Sequence, residues 1–176
     1  MKQTATKTNP VKPRSVITPS LMVLEYLCAR ARPDEVDQYE AITGRDYDPE
    51  AAAVAFWSGG KWALAVAHPD GRPAAAGGYE QVSEGVWQSW MVGTPEGWAE
   101  MWIDIHRATR FLTEALVDSG LARRLQTNAL AERKQAHEWY KRLGLKYEGT
   151  MVGLAHDGRD VAFFGRHIPG ADVEVL

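Results

Sequence analysis

The sequence has a single cysteine, Cys28, and no long apolar run. One cysteine excludes an internal disulfide and a zinc site built on several cysteines. The longest apolar runs fall far short of the roughly 20 residues that cross a bilayer, and the N-terminus has no hydrophobic signal-peptide core. These absences predict a cytoplasmic protein that does not span a membrane.

The sequence also lacks a strong net charge, since 20 Lys and Arg stand against 23 Asp and Glu, a balance of −3. That balance provides no global basic surface for nucleic acid. The five histidines show no ligand spacing, so no metal site is predicted. His137-Glu138 begins like a zinc-protease helix, but Lys141 stands where the second histidine belongs. A phosphate-binding loop and a nucleophile elbow are also missing.

A length of 176 residues with 45% hydrophobic and 24% charged residues is typical of one globular domain. Residues 1–20 are predicted to be an extended basic tail, because they hold four Lys or Arg, three prolines and no acid. Without them, 16 basic and 23 acidic residues remain, a net charge of −7. The domain is predicted over residues 21–168, followed by a C-terminal tail over 169–176. The basic tail is either a mobile end or an arm that orders on a partner.

The apolar pattern predicts an α+β domain in the order β-α-α-β-β-β-α-β-α-β-β, with helices packed on one twisted sheet. Cys28 falls in the first predicted strand and is expected to be a small buried residue. Asp157-Gly158 predicts a two-residue hairpin turn, and Gly77-Gly78 predicts a bulge or a close backbone approach. Strands are predicted over 21–30, 61–68, 73–80, 85–92, 124–128, 146–155 and 160–167. Helices are predicted from Pro33 to a stop at Gly44, over 51–58, from Thr94 to about Ser119 and over 132–143.

The segment from Gly85 to His167 resembles the GNAT superfamily of acyl-CoA-dependent N-acetyltransferases. It contains a strand, loop, long helix and strand over 86–128, and a closing hairpin follows Glu148-Gly149. Between them, Ala136–Leu145 (AHEWYKRLGL) is similar to the A-x-x-x-Y-x-K-x-G-F segment of that superfamily. The likeness extends over residues 21–168, and the layout is most similar to small acetyltransferase-like proteins encoded by tailed phages.

The resemblance implies a GNAT-like α/β/α fold with a central twisted mixed sheet and acetyl transfer from acetyl-CoA to an amine. It places the pantetheine arm of the cofactor in a gap where the strand ending at Met91-Val92 splays from its neighbour, with Asn128 near the arm. It implies that Tyr140 is the acid that protonates the departing thiolate. Glu80 and Glu84 are the candidates for the base. The residues implied to bind the cofactor are Met91, Val92, Gly93, Thr94, Gly97 and Asn128.

The loop implied to hold the diphosphate departs from the superfamily pattern, Q/R-x-x-G-x-G/A. Pro95 lacks an N–H, Glu96 places a negative charge at the site, and Trp98 is bulky where the backbone must stay approachable. No Arg or Lys occurs between Arg72 and Arg107. The loop is therefore predicted to be degenerate, with acetyl-CoA binding weakened or lost.

Two functions stay open. The first is an N-acetyltransferase acting on a small amine or a protein amino group. The second is a non-catalytic phage assembly or virion protein that reuses the fold and contacts phage structural proteins through its basic tail. The first function predicts that the protein is located in the cytoplasm, which is the host cytoplasm for a phage protein. The second function predicts that it is part of the virion. Nucleic-acid binding through the basic tail is a third hypothesis, which the negative charge of the remaining residues disfavours.

Four of the seven tryptophans lie between positions 87 and 102 and surround the implied cofactor loop. Trp87 and Trp90 are predicted to lie on opposite faces of one strand, because their spacing is odd. Trp98 and Trp102 are predicted to share one face of the following helix. We expect at least two of the four to fill the cofactor cleft as packing.

Overall fold

The structure, a computed structural model, describes residues 15–60 and 62–169. The helices are α1 (Leu21–Cys28), α2 (Pro33–Thr43), α3 (Pro49–Gly59), α4 (Pro95–Asp118) and α5 (Lys134–Arg142). The strands are β1 (Val16–Ile17), β2 (Trp62–Ala67), β3 (Pro73–Ser83), β4 (Val86–Gly93), β5 (Arg124–Leu130), β6 (Lys146–Met151) and β7 (Val161–His167). Among the described residues, none of the helices combines the length and apolar character that a membrane crossing requires.

One mixed sheet runs in the order β1-β2-β3-β4-β5-β7-β6. Strands β1 to β4 pair antiparallel, and so do β5, β7 and β6. The two halves join where β4 and β5 pair in parallel at Val86–Arg124, Trp87–Leu125 and Gln88–Gln126. Beyond these three pairs the strands diverge. The mixed sheet covered by helices confirms the predicted fold class.

The helices cover both faces of the sheet, and the tryptophans of β4 show the two sides. Trp87 packs with Leu112 and Leu116 of α4. Trp90 packs with the α1 and α3 side, where its ring stacks on Phe56 at 4.6 Å. The predicted placement of Trp87 and Trp90 on opposite faces is confirmed.

Gly77 and Gly78 let β4 side chains lie flat across β3. A Cβ at Gly77 would lie 2.6 Å from Met91 Cε, and one at Gly78 would lie 2.9 Å from both Ala63 Cβ and Trp90 Cε2. The predicted close approach at this dipeptide is therefore confirmed.

The predicted first strand over 21–30 is wrong, because this segment forms helix α1. Ser20 caps the helix by accepting a hydrogen bond from Val23 N at 3.3 Å, and Leu24, Leu27 and Cys28 are buried on one side. A short apolar run fits a buried strand or a buried helix equally well, so the pattern alone did not separate them. Cys28 is buried as predicted, and burial raises the pKa of its thiol to about 11.

The sheet begins inside the segment predicted to be the tail. Val16 and Ile17 form β1 and pair with Val66 and Ala65 of β2. The tail prediction for residues 1–14 lies outside the described residues, as does that for residues 170–176.

The predicted two-residue hairpin at Asp157-Gly158 is also wrong. Strand β6 ends at Met151 and β7 begins at Val161, so a longer loop joins them. This loop docks on α2, where His156 N donates to Ala41 O at 2.8 Å and Arg159 pairs with Asp37 at 2.7 Å. Contacts with a distant helix therefore override the local turn preference.

Helix α4 begins directly at the end of β4. Thr94 Oγ1 accepts a hydrogen bond from Gly97 N at 2.9 Å, and Thr94 N donates to Ala74 O at 3.0 Å. A Cβ at Gly97 would overlap the backbone of Ala74 on β3. The first turn of α4 is thus pressed against the sheet, which leaves no extended loop between β4 and α4.

We expect Gly97→Ala to destabilise the protein, although Ala is favoured over Gly in a helix by about 1 kcal/mol. The added methyl group would meet fixed backbone, and such overpacking costs about 1–3 kcal/mol. Urea unfolding of the two proteins measures the difference in free energy of unfolding. The control is Ala99→Gly at an exposed position of the same helix, which should cost about 1 kcal/mol through propensity alone. A Gly97→Ala variant more stable than the unaltered protein would contradict the packing described here.

Candidate functional site

A cavity of about 640 Å³ lies where β4 and β5 diverge. Strand β4 contributes the wall from Ser89 to Val92, and β5 contributes Thr127 and Asn128. Residues of β2, β3 and the helices α2 to α5 also line the cavity. The cavity reaches between the two halves of the sheet because only the first part of β4 is paired with β5.

Four of the predicted site residues meet at this cavity, namely Met91, Val92, Asn128 and Tyr140. Tyr140 is buried on α5, and its hydroxyl donates a long hydrogen bond of 3.5 Å to the carbonyl oxygen of Asn128. Burial raises the pKa of Tyr140, so the phenol keeps its proton at neutral pH. A neutral phenol at the cavity wall is a group that can donate a proton to a bound molecule.

The other predicted residues lie elsewhere. Gly93, Thr94 and Gly97 form the junction between β4 and α4 and do not line the cavity. Glu80 on β3 and Glu84 in the β3–β4 turn are exposed and are also outside the lining. The structure therefore does not bring either predicted base together with Tyr140.

The backbone amides at the junction already have acceptors within the protein. Gly93 N donates to Glu35 Oε2 at 2.9 Å, and Trp98 N donates to Thr94 O at 3.0 Å. The amides of Thr94 and Gly97 are satisfied as described above, and Pro95 has no N–H. A helix N-terminus binds anions through free amides, and here most of them are occupied.

Glu35, in the first turn of α2, is the residue that sequence reasoning missed. Its Oε1 accepts from Trp98 Nε1 at 2.9 Å, while Oε2 accepts from Gly93 N. Burial raises the pKa of Glu35 to about 7, although the Gly93 amide, the Arg32 charge and the Trp98 indole each act to lower it. An acid after Pro33 is typical of any helix start, so the sequence held no signal of this long-range contact.

Helix α2 crosses from one side of the divergence to the other. Glu35 binds the end of β4, whereas Gln38 Oε1 accepts from Leu130 N at the end of β5 at 3.4 Å. Arg133, which precedes α5, donates to Gln38 at 2.7 Å and to Asp34 at 2.6 Å. The helix is thus held by both halves of the sheet at the cavity.

The tryptophans line the cavity without filling it. Trp90 and Trp98 belong to its wall, where Trp98 meets Trp139 edge-to-face at 5.3 Å. Trp87 is buried beneath α4, and Trp102 is 46% exposed. The expectation that at least two of the four tryptophans fill the cleft as packing is wrong, because Trp90 and Trp98 form part of the wall and leave a cavity of about 640 Å³.

No protein-family profile matches the chain, and no curated protein matches it in sequence. Solved structures do match. A GNAT superfamily phosphinothricin acetyltransferase from Sinorhizobium meliloti in complex with AcCoA has a TM-score of 0.67 at 12% identity, over 87% of each chain. The ribosomal-protein-S18-alanine N-acetyltransferase from Escherichia coli has a TM-score of 0.64 at 15% identity, over 92% of this chain and 97% of that one.

A GNAT-family acetyltransferase from Bacillus anthracis has a TM-score of 0.64 at 10% identity, over 86% of this chain and 93% of that one. Identities this low show the fold alone, and the fold is that of the GNAT acetyltransferases, as predicted. The likeness to phage proteins stays a prediction.

The residues present do not fit the whole of acetyl-CoA. The cavity has the position predicted for an extended pantetheine arm, with Met91, Val92 and Asn128 on its wall. The junction predicted for the diphosphate has its amides occupied, and the carboxylate of Glu35 already takes two of its donors. At the end of β4, two donors that an anion could use are bound by Glu35.

We expect the pH dependence of stability to identify Glu35. Its pKa in the folded state, about 7, exceeds the ordinary 4.5, so the folded protein holds this proton over a range where the unfolded chain releases it. The resulting stabilisation is complete below pH 4.5 and is lost as the pH rises through 7. Between pH 5 and 7 the free energy of unfolding should therefore fall by about 2 kcal/mol more in the unaltered protein than in Glu35→Gln.

Urea unfolding at several pH values measures this difference. Glu25→Gln, at an exposed position on α1, is the matched control and should follow the unaltered protein. Equal pH slopes in Glu35→Gln and the unaltered protein would show that Glu35 does not titrate as described.

Proposed function

We propose that this chain is an acyltransferase of the N-acetyltransferase type, which moves an acyl group from a thioester to an amine. The observation that carries the proposal is the cavity between β4 and β5 with Asn128 and Tyr140 together on its wall. Acetyltransferases share the fold, and one of them is in complex with AcCoA. Because a fold hosts many functions, the residues at the cavity are the stronger argument.

The chemistry requires one proton donor that the cavity supplies. The protonated amine first releases one proton to water. Its nitrogen then bonds to the acyl carbon, the carbon–sulfur bond breaks, and the nitrogen releases a second proton to water. The thiolate takes a proton from Tyr140, whose phenol is kept neutral by burial, and the resulting phenolate regains a proton from water. A small amine or a protein amino group is the proposed acceptor, and the net charge of −7 on the body attracts such a cation.

We expect Tyr140→Phe to lower the rate of acyl transfer at least tenfold, because general-acid catalysis contributes about 10²–10⁴ in rate. The measurement is thiol release from S-acetyl-pantetheine and from acetyl-CoA in the presence of a panel of amines. Tyr147→Phe is the control, since Tyr147 is exposed on β6 and its hydroxyl contacts only the neighbouring Thr150. Thiol release no faster than hydrolysis with both donors and every amine would contradict the proposal.

A binding role without chemistry is the second candidate. The observation that favours it is the occupied junction, where Glu35 holds donors that a phosphate would need. The basic residues 1–20 then supply the contact with a partner. Because β1 and the cap of α1 lie within this segment, the binding arm is better limited to residues 1–14.

Two truncations test the second candidate. We expect the chain without residues 1–14 to lose affinity for a poly-glutamate peptide at low salt, as measured by fluorescence anisotropy, while its unfolding midpoint is unchanged. The chain without residues 1–20 also loses β1 and the Ser20 cap, so its midpoint should fall. Peptide binding that survives removal of residues 1–14 would count against this role.

A further inference from the structure

We propose that Glu35 selects the acyl donor by occupying the place of a nucleotide diphosphate, so that the chain takes pantetheine thioesters that carry no diphosphate. This inference rests on the proposed acyltransferase function. It names the class of donor and the residue that discriminates between donors.

The side chain of Glu35 already occupies the end of β4. The two donors that converge there, Gly93 N and Trp98 Nε1, each bind one oxygen of the Glu35 carboxylate at 2.9 Å. The site also lies at the N-terminus of α4, where the helix dipole favours a negative group. A diphosphate would have to displace a carboxylate that the fold itself holds in place.

The two guanidinium groups described next to the junction, those of Arg32 and Arg133, are already paired with a carboxylate. Arg32, whose guanidinium lies 5.2 Å from the Trp98 ring, pairs with Asp34 at 2.7 Å. Arg133 also pairs with Asp34, and Glu96 adds an exposed acid in the first turn of α4. An incoming diphosphate would therefore meet the acids Glu35 and Glu96, while the described guanidinium groups of Arg32 and Arg133 already have a partner, which makes burial of its charge costly.

The cavity itself suits an uncharged arm. A pantetheine arm consists of amides, a hydroxyl and methylene groups, and it carries no charge. The wall formed by β4 and β5 holds apolar Trp90, Met91 and Val92 and polar Asn128, whereas the charged lining residues come from α2, α5 and the residues just before these helices. Such a lining holds a neutral arm through apolar contact and a few hydrogen bonds.

The test is the dissociation constant of three donors, measured by calorimetry on the full chain: S-acetyl-pantetheine, S-acetyl-4′-phosphopantetheine and acetyl-CoA. In the unaltered protein we expect acetyl-CoA to bind at least tenfold more weakly than S-acetyl-pantetheine. The phosphorylated arm tells whether one phosphate is accepted. If S-acetyl-4′-phosphopantetheine binds as tightly as S-acetyl-pantetheine, the result supports exclusion of the diphosphate. If it binds as weakly as acetyl-CoA, the site excludes any phosphate, and selectivity against the diphosphate is overturned.

Variants then assign the discrimination to Glu35. Glu35→Ala should tighten acetyl-CoA binding at least tenfold while changing S-acetyl-pantetheine binding less than threefold. Glu35→Gln keeps the volume of the side chain and removes its charge, and it replaces Glu35→Ala in the experiment if the Ala variant folds poorly. Glu25→Ala, which removes one exposed carboxylate, should change neither constant.

Two results would overturn the inference: tighter binding of acetyl-CoA than of S-acetyl-pantetheine by the unaltered protein, or equal shifts for both donors in Glu35→Ala. Absence of binding by every donor to every variant would overturn it as well. Failure of the proposed function gives a different result from failure of this inference. In that case the donors bind with the expected selectivity, but no acyl group is transferred.

Discussion

The parallel pairing of β4 and β5 is the constraint on which the rest of the structure depends. Only three residue pairs join the two halves of the described sheet, from Val86–Arg124 to Gln88–Gln126. Further along β4, Trp90 and Met91 lie across the glycines of β3. This sideways packing leaves space toward β5. The separation of β4 from β5 determines three features: the cavity, the start of α4 and the position of Tyr140. Each of them lies where β4 leads into α4 or where β5 leads into α5.

The end of β4 shows how an intramolecular group replaces a ligand. Free amides at a helix N-terminus would bind phosphate, but in this chain the Thr94 cap and the Glu35 carboxylate use them. A carboxylate held by the fold competes with a free anion at a high effective concentration. Under the proposed function, the occupied junction limits which part of a donor the cavity can recognise, and the same contacts are compatible with a protein that binds without catalysis.

Local sequence patterns predicted much of the fold, whereas the long-range contacts could not be predicted from them. Gly44 ends α2 with a φ of 66°, and the Thr94 cap begins α4 where the sequence predicts. Helix α1 was mistaken for a strand because a short apolar run has no decisive period. In the site, Tyr140 and Asn128 follow from the resemblance to a known family. Glu35 does not, because it lies 58 residues before Gly93 and its pairing depends on how α2 packs.

Helix α2 is held unequally by the two halves of the sheet. Four contacts hold it on the side of β5 and β7. Asp34 pairs with Arg133, and Asp37 pairs with Arg159. Gln38 accepts from Leu130 N, and Ala41 O accepts from His156 N. Toward β4 it is held at the junction by Glu35 and by the amide of Arg32, which donates to Gly93 O at 3.1 Å. The β4 side is therefore the weaker attachment, and a raised pKa weakens it further because the protonated carboxyl binds the amide less strongly. If the proposed donor selection is right, Glu35 has two tasks at the junction, because the carboxyl group that discriminates between donors also attaches α2 to the end of β4.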